Sequence, residues 1–451
     1  MKSIKLHNEH RILNLVIFLF PIFFLLGNLF INSGIFIVCI IGLYSFRKKI
    51  REIFKEKIII IISLFFLLLM FSTLFDVLKN PENKNFFKSL GYLRYFLILI
   101  IFTIFIRSKK LNFKYFFYSA LFCSAILSLD IIYQYINNGF DLFGFEAHKY
   151  HNSGFLYKEM NAGGYLIKFT PLVLSLMPLF FSKKNDKLFF ASLISILVFF
   201  TAILLSGNRM PLVMFIIFIF IIIFLIKDLR HSFILGFFLC SITFSLISSL
   251  DENYKAYYKS FYDNSISMIS RVGKFVKIKY PELSENEGKK TFQSEYWYKR
   301  IKRENYEIMI LGSGHAAIYI TAIDTWLNRP IIGGGIKSFR VKCVETLHLP
   351  NRLCQSHPHN YYLEILNDVG ILGLILFFYI LLNLYKNVNK RYLNKSDRKF
   401  LLLSLTAVLI LELFPLKSTG SFFSTHNSTY IFILISFILN YKNILISSKK
   451  N

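Results

Sequence analysis

Two imidazoles and an amide, His357, His359 and Asn360, stand where a long polar segment gives way to an apolar run. That run carries no charge from Ile371 to Tyr385. An imidazole titrates near the working pH, so at such a boundary it can take a proton from an attacking hydroxyl. It can equally be an interfacial side chain at a helix end, and the stretch alone leaves both readings open.

Other residues of the right type lie upstream. Arg209, in the turn Ser206-Gly207-Asn208-Arg209, falls between two apolar runs with no carboxylate near it in sequence. Such an arginine either snorkels to water or holds an anion, and its planar fork suits phosphate oxygens. His315, Arg340 and Arg352 are positioned to add positive potential at the same mouth. Cys343 and Cys354 flank a short loop just before His357, and in an oxidising compartment a disulfide between them is expected. Cys39, Cys123 and Cys240 lie inside apolar runs and read as packing residues. His357 and His359 have no neighbouring carboxylate or thiol cluster to complete a metal shell, and no glycine-rich phosphate loop is present.

The elements that must hold these groups are helices. The run after His359 predicts a helix starting near that residue, capped by Ser356, with Pro358 in its first turn where a missing N–H costs nothing. At about 3.6 residues per turn His359, Asn360, Leu363, Asn367, Gly370 and Gly373 share roughly one face. The two glycines are expected to admit a neighbouring helix along it.

Composition places the whole chain in a membrane. Of 451 residues 55% are hydrophobic and 52 are Phe, too apolar for an ordinary soluble protein. Hydropathy predicts twelve spans, near 12–29, 31–46, 58–76, 89–106, 114–137, 162–181, 188–206, 211–226, 232–250, 360–385, 400–416 and 428–446. The formal charge of +27 argues against nucleic acid as partner once its location is considered. The basic clusters (Arg47 to Lys57, Arg107 to Lys114, Lys183 to Lys187, Lys227 with Arg230, Lys386 to Lys399) fall in alternate loops. With both termini they mark one side, which the positive-inside rule makes the cytoplasm. The opposite side then carries Asn138 to Met160, the Arg209 turn, and the long insertion 251–356 between the ninth and tenth spans. Within that insertion a helix is expected to end at Trp326 and lead into the glycine turn Pro330-Ile-Ile-Gly-Gly-Gly335. Arg94, Asp130 and Lys168 are costly inside spans, so they either line one aqueous cavity or pair with one another. A flippase or other secondary transporter would show internal repeats and midplane charge pairs. No repeat is visible, and the distinctive residues gather at one face.

His359-Asn360, with Gly370 and Gly373, resembles the signature of the O-antigen ligase and polymerase family. Trp326-Leu-Asn-Arg-Pro330-Ile-Ile-Gly-Gly-Gly335-Ile-Lys-Ser-Phe339 is similar to that family's Pro-x-x-Gly-x-Gly run. Ser206-Gly-Asn-Arg209 resembles its Ser-Arg turn, and Gly154 to Asn161 its earlier loop. The resemblance implies an all-α bundle of about twelve transmembrane helices with one large periplasmic loop, of the glycosyltransferase class C kind, in a bacterial inner membrane. It implies transfer of a glycan from undecaprenyl diphosphate to a hydroxyl of lipid A-core, or of another acceptor in the polymerases and protein O-oligosaccharyltransferases, without metal or other cofactor. By the same resemblance His359 is the general base. Arg209 binds the diphosphate, helped by His315, Arg340 or Arg352, and Asn360 orients His359 or caps its helix. Family members often carry an arginine near the place of His315, a departure in this chain.

Overall fold

A computed structural model describes residues 2–79, 85–109, 111–148, 151–157, 161–181, 185–272, 314–347, 352–389, 396–417 and 420–444. The described residues form α-helices, short 3-10 turns and isolated bridges, with no β-strand among them. The first nine helices are α1 (Lys2–Leu26), α2 (Asn28–Ile53), α3 (Lys57–Lys79), α4 (Phe86–Arg107), α5 (Phe113–Ile136), α6 (Ala162–Phe180), α7 (Asn185–Leu205), α8 (Arg209–Leu225) and α9 (Arg230–Leu250). There follow α10 (Glu252–Val272), α11 (Gly314–Leu327), α12 (Phe339–Lys342), α13 (Tyr361–Asn389), α14 (Ser396–Glu412) and α15 (Thr425–Leu439).

The protein is an all-α, polytopic membrane protein. Among the described residues eight helices are long and apolar enough to cross a bilayer, and four shorter apolar ones, within α1, α8, α14 and α15, lie at the remaining expected spans. Within the bilayer, burying apolar surface gives no advantage over lipid, so helix association rests on close packing. The abundant phenylalanines supply it: Phe66 of α3 meets Phe96 of α4 at 5.3 Å and Phe432 of α15 at 5.2 Å between ring centroids. α13, which follows the histidines, runs along α3, and α11 lies against α13.

The ionisable groups inside the spans do not pair as expected. Lys168 bonds Glu412 at 2.8 Å, and Glu412 also accepts from Lys417 and from the Tyr361 hydroxyl. Asp130 accepts backbone N–H groups from Leu142 and Phe155. Arg94 donates to the Gly91 carbonyl and to Tyr95. Each charge thus finds its partners locally, although Arg94 Nε is buried without one, and Arg94, Asp130 and Lys168 are not partners of one another.

α10 is a second departure. It forms an amphipathic helix directly after α9, where the sequence reading has a loop beginning. Its signal is Tyr254, Tyr257, Tyr258 and Phe261, at the spacing of one helix face.

Candidate active site

Asn360, and not Ser356, caps α13. Its side-chain oxygen accepts from the backbone N–H groups of Tyr362 and Leu363 at 3.0 and 3.2 Å, satisfying donors that a helix start leaves unpaired. Its amide nitrogen donates to the Pro415 carbonyl at 2.7 Å, and Tyr319 of α11 hydrogen-bonds to it as well. The helix therefore begins at Tyr361, Pro358 stays outside it, and Ser356 meets His357 Nδ1 at 2.9 Å. His359 sits just before the cap with φ +55°, a left-handed conformation uncommon outside glycine though histidine is enriched there.

That conformation brings three imidazoles together. The His357 and His359 ring centroids are 4.2 Å apart, and His315 approaches His359 edge-on at 5.2 Å. Desolvation pushes the His315 pKa below its ordinary value; the ring keeps an exposed side, so the push is limited. Tyr319, one turn along α11, has its phenol raised by burial, with the Asn360 bond opposing.

The relative placement of α11 and α13 rests on a break in α13 at Gly370, which has φ +71° and ψ −170°. A break strands backbone groups on both sides, and the run Pro330 to Gly335 supplies their partners. Ile371 N–H donates to the Pro330 carbonyl at 2.9 Å and Leu372 N–H to that of Ile331 at 3.3 Å. In return Gly334 and Gly335 donate to the carbonyls of Asn367 and Asp368 at 2.7 and 2.9 Å. The contact is backbone on backbone: a Cβ on Gly370 would lie 2.2 Å from the Ile331 oxygen, and one on Gly333 2.6 Å from Val369 N. What the glycine face admits is therefore a loop, where a neighbouring helix was expected. Gly373 faces its own helix, where an added Cβ would meet Val369.

Asp368 completes the joint. Its carboxylate accepts from Lys337 N at 2.6 Å and from Ser338 N and Oγ at 2.9 Å, while its carbonyl accepts from Ser72 of α3. Arg329 and Lys342 both pair with Asp76 of α3. Cys343 is bonded to Cys354, with Cα atoms 5.4 Å apart, in a small core of Ile318, Ala322 and Phe339 against Leu363. The segment carrying His315 is thereby anchored to the helix that follows His359 at both ends.

The other cations are distributed differently. Arg352 pairs with Asp324 of α11. Arg340 is exposed on α12 and close to Lys337, whose pKa is lowered by burial first and by Arg340 second. Arg209 is the first residue of α8. Its guanidinium carbon stands 3.8 Å from the Tyr257 ring centroid, Nη2 donates to the Tyr257 carbonyl at 3.1 Å, and Nε is buried without a hydrogen-bond partner. The turn before it is held by α10: Tyr258, Tyr254 and Tyr257 hydroxyls donate to the carbonyls of Leu204, Leu205 and Gly207 at 2.7 to 2.8 Å. These are carbonyls at the end of α7 that the helix itself cannot satisfy. Desolvation raises the Tyr257 phenol, with Arg209 opposing. His315, His359 and, through Tyr319, Asn360 are brought together directly, whereas Arg209 belongs to a cluster built on α10.

Residues 193–378 match the family model described as O-antigen ligase. Over this stretch the chain is similar to the O-antigen ligase family. The match contains Arg209, the glycine loop, the disulfide, His359 and Gly370. A comparison with curated proteins gives no match. The match supports, in general terms, a glycosyltransferase-type activity using a lipid-linked glycan and an acceptor.

Proposed function

We propose that this protein is an O-antigen ligase of the bacterial inner membrane. It moves a glycan from undecaprenyl diphosphate to a lipid A-core hydroxyl at the periplasmic face, with both termini in the cytoplasm. The observation that carries the reading is the ring contact of His315 with His359, two residues 44 positions apart, at the head of a helix inside a family-matched domain. Residues 251–356 act as a periplasmic insertion that builds one wall of this site.

In this reading His359 accepts the proton of the acceptor hydroxyl as that oxygen bonds to the anomeric carbon. The bond from that carbon to the diphosphate oxygen breaks in the same step, and negative charge collects on the departing diphosphate. Arg209 faces that charge, aided by the N–H groups at the start of α8, which have no acceptor within the helix. A cation at a helix N-terminus is unfavourable until an anion arrives to meet both. Arg340, exposed on α12, adds to the positive field that draws the donor, while Arg352 acts through Asp324 to hold α11.

Purified protein in nanodiscs, supplied with a polyprenyl-diphosphate-linked glycan and either lipid A-core or a second donor molecule, tests the acceptor. Glycan appearing on lipid A-core supports the ligase. Lengthening of the lipid-linked glycan alone makes it a polymerase, and a requirement for a protein hydroxyl makes it an O-oligosaccharyltransferase. Movement of the intact donor across the bilayer without bond cleavage would overturn the enzyme reading in favour of a transporter.

A further inference from the structure

The turn between α5 and α6 presents apolar side chains to the outside in a way that no part of the transfer reaction uses. On α5 itself Leu129, Tyr133 and Ile136 form an exposed stripe at helical spacing, the lipid-facing side of a candidate span. Past the helix end, beyond the exposed Asn137 and Asn138, apolar side chains are exposed again at Phe140, Leu142 and Phe143, the last two 60% and 70% exposed. Soluble turns are built from polar residues, and exposed apolar patches mark a binding surface.

This tip is rigid. Asp141 Oδ1 accepts from the N–H groups of Phe143 and Phe145 at 2.9 and 2.7 Å, and Asp141 N donates back to the Phe145 carbonyl at 3.0 Å. Gly144 turns the chain at φ +81°. Beneath it the buried Asp130 and Gln134 of α5 fasten the turn: Asp130 accepts from Leu142 N at 3.0 Å, and Gln134 donates to the Phe145 carbonyl at 3.1 Å. The same two side chains accept from Phe155 N and Gly154 N, tying in the segment that reaches Ser206 beside Arg209. Apolar residues held out by buried polar ones have been fixed in place before any partner arrives.

We propose that Leu142 and Phe143 form a membrane-interface anchor, inserted among the headgroups and upper acyl chains of the leaflet at the end of the bundle where the Arg209 turn lies. The position of the tip, four to seven residues past the end of the candidate span α5 and its lipid-facing stripe, selects a lipid surface as the occupant. Aromatic side chains favour this depth at the ends of membrane spans. Glu146, exposed across the hairpin from Phe140, marks the water side. Asp130 couples the anchor to the segment packed on Ser206, so the anchor sets the height of the Arg209 turn above the bilayer.

The test needs a reporter at the tip. Cys39, Cys123 and Cys240 are buried and the other two cysteines are bridged, so Phe143→Cys supplies an accessible thiol for a nitroxide label. Leu142→Cys is the second site, Leu129→Cys the lipid reference and Glu146→Cys the water reference. In phosphatidylglycerol and phosphatidylethanolamine vesicles, collisions with oxygen relative to a water-soluble nickel chelate should be several-fold more frequent at 142 and 143 than at 146, as at 129. Accessibility at 142 and 143 equal to that at 146 overturns the anchor. Nickel access at 143 that is lost on adding soluble oligosaccharide also overturns it and makes the patch a sugar platform. Because no transfer is measured, the result is independent of whether the protein is a ligase.

Discussion

The His315 ring meets the His359 ring edge-on, at 5.2 Å and 85°, although one begins a helix outside the bundle and the other precedes a membrane span. The contact depends on α11 and α13 being fixed relative to each other. The glycine loop in the break at Gly370, the Asp368 joint and the Cys343–Cys354 bridge fix them from three directions.

Desolvation holds the His315 pKa below its ordinary value, and the His359 ring is in contact with it. With the folded value depressed, this group's stabilising contribution is complete above the unfolded pKa of about 6.5. It declines as pH falls below that and is fully lost once pH has passed the folded pKa. The His359→Ala variant uncovers one side of the ring, so the His315 titration should move upward. NMR of 13C-labelled histidine reads the midpoint, and an unchanged midpoint would mean that the neighbouring ring does not desolvate it.

Gly370→Ala should be the most damaging of the small substitutions. Positive φ alone costs a residue with a Cβ on the order of 1–3 kcal/mol, and the Cβ would also displace the Ile331 carbonyl. Gly91→Ala, with normal φ and only the flexible end of Arg94 nearby at 3.4 Å, should be close to neutral. Thermal unfolding in detergent compares them, and equal melting temperatures would contradict the threaded break.

Arg209→Lys retains a charge but loses the planar fork and the stacking on Tyr257. If the guanidinium stabilises the departing diphosphate, turnover should fall about 10²–10³-fold, the scale for removing one such donor. Tyr257→Phe keeps the ring under Arg209 and removes the hydroxyl that bonds Gly207 and interacts with Arg209. It should cost about 0.5–1.5 kcal/mol of stability with little loss of turnover. Steady-state transfer assays beside melting curves separate the two effects.

Much of this architecture was legible in the sequence. Long apolar runs gave the membrane helices, and basic loops gave a consistent alternation. His359, Gly370 and the Pro330 to Gly335 run were singled out by type and spacing. What they do to one another was not legible. Glycines near an apolar helix suggest helix packing, and nothing local reveals that a loop 35 to 40 residues upstream enters the break at Gly370. The role of Asp368 was not legible, because most of its donors are backbone groups, which leave no trace in residue type. The start of α13 was misplaced by the same limit: Ser356 and Asn360 are both good caps, and only the contacts to Pro415 and Tyr319 favour Asn360. α10 was the avoidable omission, since its tyrosines follow the helical period.

Cys343 and Cys354 close a short loop in the core beneath α11. Reduction, or the Cys343→Ser variant with Cys354→Ser, should lower stability by about 2–4 kcal/mol. A mass shift after alkylation with and without reductant checks the bond. Transfer should fall through loosening of α11, with the pH profile unchanged in shape.

The central claim is that His359 performs the chemistry and does not merely decorate a helix end. Lipopolysaccharide profiling in a strain whose single copy carries His359→Ala tests it most directly, with the variant confirmed in the membrane. Loss of a general base costs about 10²–10⁴-fold. Free lipid A-core together with accumulated long lipid-linked glycan is therefore expected. A profile identical to that of the parent strain would contradict it.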